Sequence, residues 1–174
     1  MKTSFWMRLD VMARNLAPFL LTLMLLLISL VQTHIPGFGP VMPMLVLMSV
    51  YYWAIYRPDL MPLSVVFLIG LTQDLLSGGP IGVQAVVLLI CYWLVAVQRR
   101  FFHSKSFGVV WWGFMLLGMV AALLNWSLVA LVERSALAPW PVLFSYALSI
   151  ALFPFMTKLL VATHRTLPHA EEGP

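Results

Sequence analysis

Long apolar runs, interrupted by short polar or glycine- and proline-containing segments, dominate the chain. An α-helix needs roughly 17–25 apolar residues to cross the hydrocarbon core of a bilayer. The pattern therefore predicts an all-α polytopic membrane protein with a single integral membrane domain over residues 1–174. Six membrane-spanning helices are predicted, at about residues 15–34, 40–56, 60–77, 80–98, 107–132 and 139–163.

The second and third predicted spans are short, and only Arg57, Pro58 and Asp59 separate them. These two segments form either two spans or one re-entrant hairpin. We favour two spans, because Pro58 prevents a continuous helix and a charged triplet requires water.

The composition agrees with this class of protein. Hydrophobic residues make up 62% of the chain and charged residues 9%, whereas soluble domains carry roughly 25% charged residues. This excludes a cytosolic enzyme, a secreted disulfide-stabilised domain and a free nucleic-acid-binding domain. The chain has a net charge of +4. In a membrane protein, basic residues lie mainly in cytoplasmic loops and contact anionic lipid headgroups. We therefore expect membrane lipids, and no nucleic acid, as partners.

The positions of the basic residues predict the orientation. With six spans and both termini in the cytoplasm, only Arg134 falls on the outer side. Cytoplasmic loops of membrane proteins carry an excess of Lys and Arg, which supports this arrangement. The inner side then holds Lys2, Arg8, Arg14, Arg57, Arg99, Arg100, Lys105, Lys158 and Arg165.

Asp74 is the clearest ionisable residue within a predicted span, where a charge is costly. Gly70 shares its helical face and would allow a neighbouring backbone to approach the carboxylate. The following Ser77-Gly78-Gly79-Pro80 segment ends one helix and starts the next. Two interpretations stay open: a carboxylate held in a structured polar corner at the outer leaflet, or a hydrated aspartate beside a simple turn.

Other polar residues fall at the same end of this topology. Arg134 and His34 are the best candidates to pair with Asp74. If Gln84 and Asn125 met these groups in one outward-opening cavity, the chain would instead be a substrate-capturing membrane subunit of a small-molecule transporter. No catalytic or phosphate-binding motif is present, so we expect no enzymatic activity, no cofactor and no metal.

A glycine- and proline-containing motif follows the basic inner turn at Tyr56-Arg57-Pro58. Its positions have the pattern G-x-x-x-D-x-x-x-G-x-P-x-G and are Gly70, Asp74, Gly78, Pro80 and Gly82. This motif resembles that of the MreD family of bacterial rod-shape-determining membrane proteins. The length of the chain and its predicted spans are also similar to those of that family.

The resemblance implies a non-enzymatic scaffold or regulator of lateral peptidoglycan synthesis and rod cell shape, located in the bacterial cytoplasmic (inner) membrane. It implies direct binding to MreC, a protein with one membrane span. Indirect partners would be MreB filaments, the RodA glycosyltransferase and a class B penicillin-binding protein. The implied fold is similar to that of the substrate-capturing subunits of energy-coupling-factor transporters.

For the five motif residues, the resemblance supports a structural or partner-binding role. Helix interfaces within membranes use small residues for close approach. Gly70, together with Gly113 and Gly118 in the fifth predicted span, is therefore a candidate contact point for the partner, although each glycine would serve internal packing equally well.

Overall fold

The computed structural model describes the backbone of residues 4–30, 33–35, 39–103, 105–134 and 138–165, and the side chains of residues 16, 18–30, 42–101, 105–134 and 138–163. This part of the chain is a helical bundle with one small β-hairpin. The elements are α1 (Ser4–Ser29), β1 (Thr33–Ile35), β2 (Gly39–Val41), α2 (Leu45–Tyr56), α3 (Leu63–Ser77), α4 (Val83–His103), α5 (Phe107–Glu133) and α6 (Trp140–Arg165).

The centre of the bundle is α2, which contacts α1, α4, α5 and α6. Every residue of α2 from Leu45 to Ile55 is buried, as expected for a helix that is apolar on all sides. A buried hydrogen bond of 2.7 Å joins Thr22 of α1 to Ser49 of α2. Two residues further along α2, the Tyr51 hydroxyl donates to the Val110 carbonyl oxygen of α5 over 2.9 Å.

The fold is helical as predicted, with one short β-hairpin that the prediction did not include. The first span was expected to continue to residue 34, but α1 ends at Ser29. The second was expected to begin at residue 40, but α2 begins at Leu45. The chain between these helices contains β1 and β2, which pair antiparallel with Thr33 opposite Val41.

The late start of α2 has a physical cause. Pro40 and Pro43 lack the N–H group that a helix interior requires, and the intervening backbone bonds to α6 instead. The Met42 N–H donates to Ser145 Oγ over 3.1 Å, and the Met44 N–H donates to Ser149 Oγ over 2.8 Å. Two serines from a distant helix therefore hold the entry to α2.

The connection between α2 and α3 breaks the helix at the charged triplet, an arrangement that fits two short spans and a re-entrant hairpin alike, so two crossings stay a prediction here. A 3₁₀ turn at Pro58–Leu60 lies between them, and Arg57 forms an ion pair of 3.3 Å with the exposed Asp59.

Helix length distinguishes two groups among the predicted spans. In the described residues, three segments are long and apolar enough to cross a membrane: Val83–Phe101, Phe107–Glu133 and Trp140–Thr163. The shorter apolar segments are Pro18–Ser29, Leu45–Tyr56 and Leu63–Ser77. These lengths fit a membrane protein, and the total of six crossings stays a prediction.

Side chains join α5 to α6 at two levels. Pro154 has no N–H to donate to the Ile150 carbonyl within α6, and Trp111 Nε1–H of α5 donates to that oxygen over 3.3 Å. The Tyr146 hydroxyl donates to the Met115 carbonyl over 2.9 Å. Gly118 was a candidate contact either for a partner helix or for internal packing. It lies against the Tyr146 ring, so it serves internal packing.

Candidate functional site

Asp74 is buried near the end of α3, with 2% of its surface exposed. Its carboxylate accepts hydrogen bonds from backbone N–H groups around the start of α4. Gly82 N–H donates to Oδ2 over 2.8 Å, Gln84 N–H to Oδ1 over 2.9 Å, and Ala85 N–H to Oδ2 over 3.3 Å. Among the residues whose side chains are described, Asp74 is the one buried acidic or basic side chain.

These bonds make Asp74 a helix cap supplied from another helix. The first N–H groups of any α-helix lack intrahelical partners, and a side-chain oxygen just before the helix usually accepts from them. At α4 the neighbouring helix provides that oxygen. The arrangement also places a carboxylate at the positive end of the helix dipole.

The backbones of α3 and α4 come very close at Gly70. A Cβ atom built on Gly70 would lie 2.5 Å from Ala85 Cα and 2.9 Å from Ala85 N. No side chain fits in that space. Because Asp74 lies one helical turn later on the same face, this close approach brings its carboxylate within reach of the Ala85 N–H.

The turn between the two helices requires glycine at two positions. Gly78 has φ +70° at the end of α3, and Gly82 has φ +97° directly before α4. Both angles lie where residues with a side chain are strained. The fourth span was expected to begin at residue 80, but α4 begins at Val83. Pro80 lies in the turn, where its carbonyl accepts the Val83 N–H over 3.4 Å.

Of the two candidate partners for Asp74, the structure describes the side chain of one, Arg134. Arg134 is exposed at the end of α5, and the predicted ion pair with it is not formed. The side chain of His34, the other expected partner, lies outside the described residues. Because Asp74 is buried and bonded to backbone N–H groups, the structure also disagrees with the alternative of a hydrated aspartate.

A cavity of about 240 Å³ lies beside this hairpin. We call it the amide cavity, because Gln73, Gln84 and Asn125 line it, together with Ser29 and Ser145 among others. The predicted outer cavity included Gln84 and Asn125, and the structure does bring these two side chains together.

Two predicted members of the cavity differ from the structure or are not described. Asp74 is not among the described lining residues, and the His34 side chain is not described. Sequence reasoning missed Ser145 and did not single out Gln73 as a cavity residue. Gln73 precedes Asp74 directly in α3. Because consecutive residues of a helix point in different directions, a polar Gln73 beside the buried Asp74 could have indicated a second polar surface on α3.

The structure thus shows a helical bundle with long apolar helices, as in membrane proteins, in which a buried aspartate caps the α3–α4 hairpin. Comparison with known proteins identifies the family. The family model for the rod shape-determining protein MreD matches residues 12–162. The chain therefore belongs to the MreD family, which confirms the resemblance seen in the motif.

A curated relative supports the same assignment. The rod shape-determining protein MreD of Haemophilus influenzae is 27% identical over 127 residues, which cover 71% of this chain and 76% of the relative. No solved structure matches the chain. Membership of this family gives the protein a role in cell shape.

Proposed function

We propose that this protein is a non-enzymatic scaffold or regulator of lateral peptidoglycan synthesis in the bacterial cytoplasmic membrane. It binds MreC, and through MreC it is linked to MreB filaments, the RodA glycosyltransferase and a class B penicillin-binding protein. The observation that carries this proposal is the family match over residues 12–162, which includes the whole capped hairpin.

The described surface supports binding through the helices. On α5 a series of large apolar side chains is exposed, including Trp112, Leu116, Met119 and Leu123. Lipid or another apolar helix covers such a surface in a membrane. A partner with a single membrane span suits this surface better than a soluble partner does.

A groove between α4 and α5 is the best candidate for the partner's helix. It has a volume of about 240 Å³, and its lining includes Gly113, Leu94 and Leu116. Gly118 and Gly70 are occupied by internal contacts, whereas the half-buried Gly113 borders this groove. A glycine beside a groove allows the backbone of a second helix to approach closely.

The test is co-purification of MreC with the tagged chain in mild detergent. We expect wild type to recover MreC, and Gly113→Leu to recover about tenfold less because leucine fills the groove. Gly108→Leu on the same helix is the matched control, since nothing lies within 4 Å of a Cβ atom at that position. Absence of MreC from the wild-type sample would contradict the scaffold. Equal recovery with both variants would exclude the groove as the contact.

The amide cavity favours one alternative function, a substrate-capturing subunit of a transporter. Several polar groups meet there, which is the feature that this alternative requires. The same purification distinguishes the two functions, because a transport subunit would recover ATPase subunits in place of MreC.

A further inference from the structure

The amide cavity lies where most helices of the bundle meet. Its lining includes residues from α1, α3, α4, α5 and α6, together with residues 45–47 in the first turn of α2. A space of about 240 Å³ at a junction of helices is larger than the few small voids of a close-packed interior.

The polar groups of the cavity have unused hydrogen-bonding capacity. Gln73 Oε1 is buried and accepts no hydrogen bond from the described residues, although buried polar atoms in folded proteins are nearly always paired. An unpaired amide oxygen thus lies among the residues that line the cavity.

Size and charge restrict what the cavity accepts. None of its described lining residues is acidic or basic, so a charged ligand would lose its hydration without gaining a counter-charge. Drug-sized ligands occupy roughly 300–1,000 Å³, and about 240 Å³ corresponds to a smaller, single-ring group. Val87, Leu88 and Val142 supply apolar walls.

We propose that the amide cavity binds an uncharged sugar ring, either as a free sugar or as the headgroup of a glycolipid. Each hydroxyl of a sugar is both a donor and an acceptor, which matches the carboxamides of Gln73, Gln84 and Asn125. The C–H faces of the ring would contact the apolar walls. This site is separate from the α4–α5 groove and does not depend on partner binding.

The experiment uses the full chain in phospholipid nanodiscs with two probes. Methyl β-glucoside in solution tests the free sugar by saturation-transfer NMR, and monoglucosyl diacylglycerol in the disc tests the lipid form by native mass spectrometry. Gln84→Met and Asn125→Leu remove amides of the cavity. Gln98→Met is the matched control, because Gln98 is exposed on the same helix as Gln84.

We expect at least one probe to bind, with about tenfold weaker binding for Gln84→Met and for Asn125→Leu and no change for Gln98→Met. Binding of both probes identifies the sugar ring itself as the ligand, and binding of the glycolipid alone identifies a lipid source. Failure of both probes to bind wild type would overturn the proposal. Equal binding by all variants that keep the wild-type circular dichroism spectrum would also overturn it.

Discussion

At the scale of single residues, Asp74 organises the best-defined part of the molecule. The sequence correctly marked it as an ionisable group that needs an explanation within an apolar helix, and correctly paired it with Gly70. It did not identify the bonding partners, because these are backbone N–H groups of Gly82, Gln84 and Ala85. The sequence indicated a helix start after Pro80, but it could not show that the carboxylate of the preceding helix reaches those N–H groups, because this depends on how closely α3 and α4 pack.

Replacement of Asp74 by asparagine tests the cap. Asparagine keeps one accepting oxygen, but its NH₂ group would face backbone donors in place of the other, so we expect a loss of about 1–3 kcal/mol and a fall in apparent Tm of about 3–10 °C in detergent. Asp59→Asn is the matched control, because Asp59 is exposed and pairs only weakly with Arg57. A similar Tm for both variants would show that Asp74 does not stabilise the hairpin.

Gly78 and Gly79 provide a second matched pair in the same turn. Gly78 has φ +70°, whereas no positive φ is found at Gly79, and neither position is sterically crowded. We expect Gly78→Ala to lower stability by about 1 kcal/mol and Gly79→Ala to change it little. Thermal unfolding monitored by circular dichroism measures the difference, and equal effects would argue against backbone strain at Gly78.

At the scale of elements, hydrophobic pattern located all six described helices, but helix ends were less accurate. The pattern extended the second span back to residue 40, and α2 begins at Leu45. The missing information was tertiary, since the serines that bind the backbone at Met42 and Met44 are more than 100 positions away. The β-hairpin was missed for a related reason, because three-residue strands have almost no pattern of their own.

The contact between α3 and α4 gives the clearest prediction at this scale. A methyl group at Gly70 would overlap the Ala85 backbone, so Gly70→Ala should separate the helices, weaken the Asp74 cap and cost about 2 kcal/mol. Gly108→Ala, in open space on α5, should be neutral or slightly stabilising, because alanine favours helix. Thermal unfolding measures the Tm of both variants. An equal Tm for Gly70→Ala and Gly108→Ala would contradict this account.

At the scale of the whole molecule, composition and apolar runs were sufficient to predict a helical membrane protein, and the motif was sufficient to indicate its family. The sequence could not predict the amide cavity in full. Gln73, Gln84 and Asn125 come from three helices, and their convergence depends on how those helices pack around α2.

The orientation predicted from the basic residues is tested by cysteine labelling. In a Cys91→Ala background, we expect Asp59→Cys to react with a membrane-impermeant maleimide only after the cytoplasmic side is opened. Ile81→Cys, at a position 71% exposed in the turn before α4, should react in intact spheroplasts. Labelling of both positions from the same side would contradict a crossing by α3.

The most direct test of the central claim is the shape of living cells. In a rod-shaped bacterium depleted of its own MreD, we expect the wild-type chain and Asp59→Asn to restore rods. Asp74→Asn should give rounded cells, because the α3–α4 hairpin loses its cap and the proposed scaffold is destabilised. Membrane levels of each variant are compared by immunoblot. Rods formed by Asp74→Asn as well as by wild type at equal protein levels would contradict the account.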